Sequence, residues 1–131
     1  MVAGTERDDW SDKVCRRLAE IGKLLPGWDG YRATSIPNGT VNFTLLLLGH
    51  VSAEANALAF PAITPMSNGA IMIEWRTRTH EITVEVNDIN DVDVLLEVLA
   101  TGYKDEFHVT SDFAKISDAL EQGTKSAVAV A

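Results

Sequence analysis

Between Asp9 and Leu25 apolar side chains recur every three or four residues, at Trp10, Val14, Leu18, Ile21 and Leu25. That is the period of an amphipathic helix with one face turned to a core. Asp8, Asp9 and Asp12 stand at its start and Arg16, Arg17 and Lys23 further along, the order the helix dipole favours. Pro26 and Gly27 end it. A second helix is predicted over Asn38 to Leu58, entered through Pro37, with Val41, Leu45, Leu48 and Val51 or Ser52 on one face. The unbroken run Leu45 to Leu48 predicts cover on more than one side of that helix, and Pro61 and Pro65 then turn the chain to extended structure.

From Ala62 to Asn87 the period changes to two. Ser67-Asn68-Gly69 marks one turn and Thr77 to Thr79 another, which predicts a three-stranded antiparallel meander. Ile71, Ile73 and Trp75 alternate with Met72, Glu74 and Arg76, and Ile82, Val84 and Val86 alternate with Glu81, Thr83 and Glu85. One sheet face therefore packs on helices and the other meets water. Val92 to Leu99 fits a strand or a short helix and is read as a strand, Phe107 to Val109 as a short edge strand. Ser111 caps a last helix carrying Phe113, Ile116 and Leu120 and closed by Gly123. The fold class predicted is two-layer α+β, a meander of three to five strands with two helices before it and one after, in the order α-α-β-β-β-β-α. Its 131 residues make one domain, with an ordered core over about residues 8–122 and a frayed tail over 123–131.

The connection after the first helix is the least generic stretch. Trp28-Asp29-Gly30-Tyr31-Arg32 places two aromatics, an acid and a base in a glycine-flanked loop. Trp28 suits a core plug, Asp29 local backbone hydrogen bonding and Gly30 a positive φ. Trp28, Asp29, Tyr31 and Arg32 also suit an exposed recognition surface, since aromatics and arginine anchor interfaces. With Pro65 to Trp75, whose core is Gly69-Ala70-Ile71-Met72-Ile73-Glu74-Trp75, this loop resembles a group of small hypothetical proteins of bacteria and phages. In that group a Trp-Asp-Gly-Tyr-Gly-Ala loop precedes a helix and a Gly-Gly-Ile-x-Leu-Glu-Trp strand opens a meander. The likeness covers roughly residues 15–98, and Arg32 and Ala70 depart from the small residue and second glycine of the pattern. It implies the fold and a setting in bacteria or their mobile elements, and it carries no activity.

Charge adds direction. The formal net charge is −8, yet residues 1–35 are neutral, with six acids and six bases. From Glu81 to Glu121 eleven acids face only Lys104 and Lys115. Such a chain lacks the basic footprint of a nucleic-acid binder, so no direct nucleic-acid contact is expected. A field of carboxylates at Glu81, Glu85, Asp88, Asp91 and Asp93 instead suits a protein partner with a basic surface. The hairpin tip with Arg76, Arg78 and His80 is a smaller candidate for salt-bridging contact or for holding an anion.

Catalytic and cofactor signatures are missing from the sequence. There is no nucleophile elbow, phosphate loop or dinucleotide fingerprint, and no cofactor is expected. His50, His80 and His108 show no metal-ligand spacing, and Cys15 has no second cysteine, so no metal is expected either. Asp88 to Asp93 is oxygen-rich like a calcium loop but lacks its sixth-position glycine and has Leu99 in place of the twelfth-position glutamate. Asp29, Glu74 and His80 are the residues that would build a cryptic hydrolase site. No 18-residue apolar run and no secretory leader pattern is read, which predicts a cytoplasmic chain without a membrane span. The functional expectation is a non-enzymatic acidic binding module, monomer or homodimer, of the kind that inhibits a nucleic-acid-handling bacterial defence complex as anti-CRISPR proteins do. An antitoxin-like or oligomeric structural module is the alternative.

Overall fold

The computed structural model describes the backbone of residues 2–55 and 58–130 and the side chains of residues 11–52, 55 and 58–124. In chain order the elements are α1 (Val2–Gly22), α2 (Asn38–His50), the single turn α3 (Ser52–Ala55), β1 (Ala62–Pro65), β2 (Ile71–Arg76), β3 (His80–Asp88), β4 (Asp91–Val98), β5 (Tyr103–Val109) and α4 (Ala114–Val130). The strands form one antiparallel meander in the order β1-β2-β3-β4-β5. This is the α+β architecture that the change of period from 3.6 to 2 predicts, with Val92 to Val98 in a strand.

The alternation of each strand decides which way the sheet faces. Ile71, Ile73 and Trp75, Ile82, Val84 and Val86, and Val92, Val94 and Leu96 are all buried and belong to one core with Val14, Leu18 and Ile21 of α1, Leu47 and Leu48 of α2, and Ile116 and Leu120 of α4. Helices α2 and α4 pack on β3, and α1 packs on α2. Arg17 Nε donates to the Ile63 carbonyl at 2.8 Å and ties α1 to the sheet edge. Phe43 and Phe113 meet edge to face at 5.5 Å, joining α2 to the entry of α4.

Several boundaries differ from the sequence reading. Helix α1 stops at Gly22, and the chain then tightens through i to i+3 bonds from Lys23 to Glu20 and from Leu24 to Ile21. Pro26 disfavours helical dihedrals at Leu25, so that leucine leaves the core face and is 75% exposed. The side chain of Trp10 lies outside the described residues. Helix α2 ends at His50 and does not reach Leu58, because Val51 takes φ −100° and ψ 9°. Its buried face is Thr40, Phe43, Thr44, Leu47 and Leu48, while Leu45 and Leu46 are 42% and 55% exposed. The leucine run is thus covered on one side, not on two.

At the other end of the chain, α4 passes through Gly123 and continues to Val130. Gly123 is a packing residue: a Cβ there would sit 3.3 Å from Ile82 Cδ1 and 3.6 Å from Thr77 Cγ2. It lets the helix cross close to the β2–β3 hairpin. The edge strand β5 begins at Tyr103, four residues before the predicted start.

Candidate functional site: the open face of the sheet

Because all the helices lie on one side, the other face of the sheet is uncovered, and the register lays out what it displays. One cross-strand row is Met72, Glu85, Asp93 and His108; the next is Glu74, Thr83, Leu95 and Glu106; the third is Arg76, Glu81, Glu97 and Lys104. These three rows therefore hold six carboxylates and two permanent cations, and both cations stand in the third row. Arg76 pairs with Glu81 at 3.4 Å, and Lys104 is the register partner of Glu97. The acidic excess falls on the first two rows, where a shallow depression of about 480 Å³ is lined in part by Thr83, Glu85, Asp93, Leu95 and Glu106.

The face is bounded at its acidic end by the β3–β4 turn. Asp88 and Asp91 are register partners, Asn90 turns the chain at φ 59°, and Asp88 Oδ1 accepts the Ile89 amide at 2.7 Å. Asp91 follows the parity of Asp93, so both point to the open side. Asp93 accepts hydrogen bonds from His108 Nδ1 and from Asn87 Nδ2, each at 2.9 Å. The His108 bond outweighs the small desolvation that opposes it and keeps the Asp93 carboxyl below its ordinary value, with further help from Asn87 and from the charge of His108.

The loop after α1 is a separate, closed structure. Asp29 Oδ1 accepts the amides of Tyr31 at 2.9 Å and Ala33 at 3.2 Å, and the Gly27 amide reaches the Ala33 carbonyl at 2.7 Å. Trp28 is half-buried and donates its indole N–H to the Thr34 carbonyl at 2.7 Å. Gly27 and Gly30 take φ of 80° and 84°, where only glycine is unstrained. The result holds Tyr31 at 85% exposure with Arg32 beside it. Thr34 donates to the Ser67 carbonyl, so the loop docks on the β1–β2 turn. There Gly69 at φ 93° would bring a Cβ to 3.1 Å from Thr34 Oγ1.

The structure thus gathers Glu81, Glu85, Asp91 and Asp93 on one surface with Asp88 at its end, and keeps Trp28, Asp29, Tyr31 and Arg32 apart in their own loop. Arg76 and Arg78 are exposed at the β2–β3 hairpin, but His80 is not. It is only 7% exposed, on the helix side of β3, with its Nδ1 held by Thr79 Oγ1 at 2.9 Å and Gly123 packed nearby. The expectation of a histidine on the hairpin tip is therefore corrected. His80 and Glu74 also lie on opposite faces of the sheet, and Asp29 is engaged by backbone amides. The trio suggested for a hydrolase does not converge.

Sequence reasoning missed Glu97, Lys104, Glu106 and His108 as members of the face. For the three on β5 the signal was the alternation Lys104, Glu106, His108, masked because β5 was read as only three residues long; Glu97 follows the parity of Asp93 on β4. No helix among the described residues is long and apolar enough to cross a membrane. Compared with known proteins, the chain matches no family model, no curated protein and no solved structure.

Proposed function

We propose that this chain is a non-catalytic binding module that lays the open face of its sheet against a basic surface of another protein, of the kind used to hold nucleic acid. The observation that carries the reading is the concentration of carboxylates in two adjacent rows of a helix-free face that hold no lysine or arginine. Strands fix those carboxylates in a rigid array, which favours fast, oriented encounter with a cationic patch. The bacterial and mobile-element setting implied by the sequence resemblance makes an inhibitor of a nucleic-acid-handling defence complex the specific form of this proposal. The cytoplasm is the compartment that goes with it.

The test compares the wild-type chain with Glu85→Lys/Glu106→Lys as bait for basic proteins at low and high salt. Asp112→Lys/Asp118→Lys is the control, because it makes the same change of net charge on the helix side. Capture lost on the face variant and retained by the control supports the reading. Equal capture by all three rejects it. A second reading, self-association through α2, is favoured by the exposed Leu45 and Leu46 beside Gly49 and His50. Light scattering that gives a monomer's mass removes it.

A further inference from the structure

At the β4–β5 edge of the open face, the His108 imidazole stands between the carboxylates of Asp91 and Asp93. We propose that Asp91 and His108, with Asp93 as the residue that positions the imidazole, bind a divalent transition-metal ion and so clasp the edge strand β5 to β4. The inference stands independently of the partner proposed above.

The antiparallel register sets Asp93 directly opposite His108 and leaves Asp91 two residues away on the same face. Ligand atoms of all three residues lie within 4.8 Å of one another. One oxygen of Asp93 accepts from Asn87 and the other lies 2.9 Å from His108 Nδ1. That contact places the proton on Nδ1 and leaves the Nε2 lone pair to face outward, which is how a carboxylate commonly prepares a metal-binding histidine. Nε2 stands 3.7 Å from Asp91 Oδ1, beyond an ordinary hydrogen bond. Two ligands each about 2.1 Å from one tetrahedral ion are separated by roughly 3.4 Å, so a small rotation of either side chain closes the pair on a metal.

The donor set selects the ion. One imidazole nitrogen with carboxylate oxygen suits Zn²⁺, Co²⁺ or Ni²⁺ better than Ca²⁺ or Mg²⁺, which favour oxygen throughout. Glu85, the register neighbour of Asp93 on β3, adds negative field from the other side. Water completes the coordination of an ion held at the surface.

Titration of the whole chain with Ni²⁺ and Zn²⁺ by calorimetry, and with Co²⁺ by NMR, tests the site. One ion is expected per chain, with Co²⁺-induced shifts centred on the β4–β5 ladder. His108→Ala and Asp91→Asn abolish this binding, Asp93→Asn weakens it about 10- to 100-fold as loss of an orienting carboxylate does, and His50→Ala leaves it unchanged. Unfolding curves of the metal-free variants check that each still folds. Absence of binding at millimolar metal, or binding that survives His108→Ala in a folded protein, overturns the proposal.

Discussion

Reversal of Glu85 and Glu106 to lysine separates surface placement from net charge. Each substitution removes one attraction toward a basic partner and adds one repulsion, so the pair makes four increments. Exposed charge pairs contribute about 0.2–1 kcal/mol each, so the double variant loses roughly 1–4 kcal/mol of binding free energy at low salt. At about 1.4 kcal/mol per tenfold, the dissociation constant rises roughly five-fold to several hundred-fold. Neither substitution disturbs the core, since both side chains stand on the uncovered face. The assay is fluorescence anisotropy of a labelled arginine- and lysine-rich peptide, repeated from about 0.05 to 1 M salt. As the screening length contracts from roughly 10 Å at 0.1 M to 3 Å at 1 M, wild-type and variant curves should converge. The Asp112→Lys/Asp118→Lys control should stay near wild type at moderate salt. Equal loss in both double variants would show that only total charge matters, and the assignment of the face would fail.

Other expectations follow from particular contacts. Leu47→Ala should cost about 2–5 kcal/mol in denaturant unfolding, whereas its neighbour Leu46→Ser should stay within about 0.5 kcal/mol, since only Leu47 is buried. Trp75 buries its indole N–H without an acceptor among the described residues, so Trp75→Phe should be much milder than the roughly 3–5 kcal/mol of Trp75→Ala. Asp29→Ala removes the acceptor of two backbone amides and should lower stability by about 1–2 kcal/mol and open the Trp28 loop to proteolysis. The Asp93 carboxyl is held below its ordinary 3.8 in the folded chain. Its ionised form therefore adds stability that is complete above that ordinary value and is lost as pH falls through the lowered one. Acid unfolding should be shallower in Asp93→Asn than in wild type, and identical acid limbs would contradict the His108 and Asn87 contacts.

What the sequence by itself determined is local. The two-residue alternation of β2 and β3 sorted their side chains onto two faces, because a pleated strand gives adjacent residues opposite faces whatever lies around it; Val92 to Val98 fitted a helix as well, and only its pairing between β3 and β5 made it a strand. The Asp29 cap and the positive φ of Gly30 were equally legible, since both arise within a few residues. Tertiary structure decided the rest. Four identical leucines cannot say which two meet the core, and only the packing of α2 against β3 and α1 sorts Leu47 and Leu48 from Leu45 and Leu46. Gly123 looked like a helix end because its use, close passage over Ile82, depends on a strand forty-one residues away. His80 looked like a hairpin tip until α4 covered it. The open face itself is a property of the assembly: its rows exist because the strands pair in sequence order while all the helices return to one side. His108 comes to lie opposite Asp93 only through the β4–β5 register, a relation that spacing along the chain does not display.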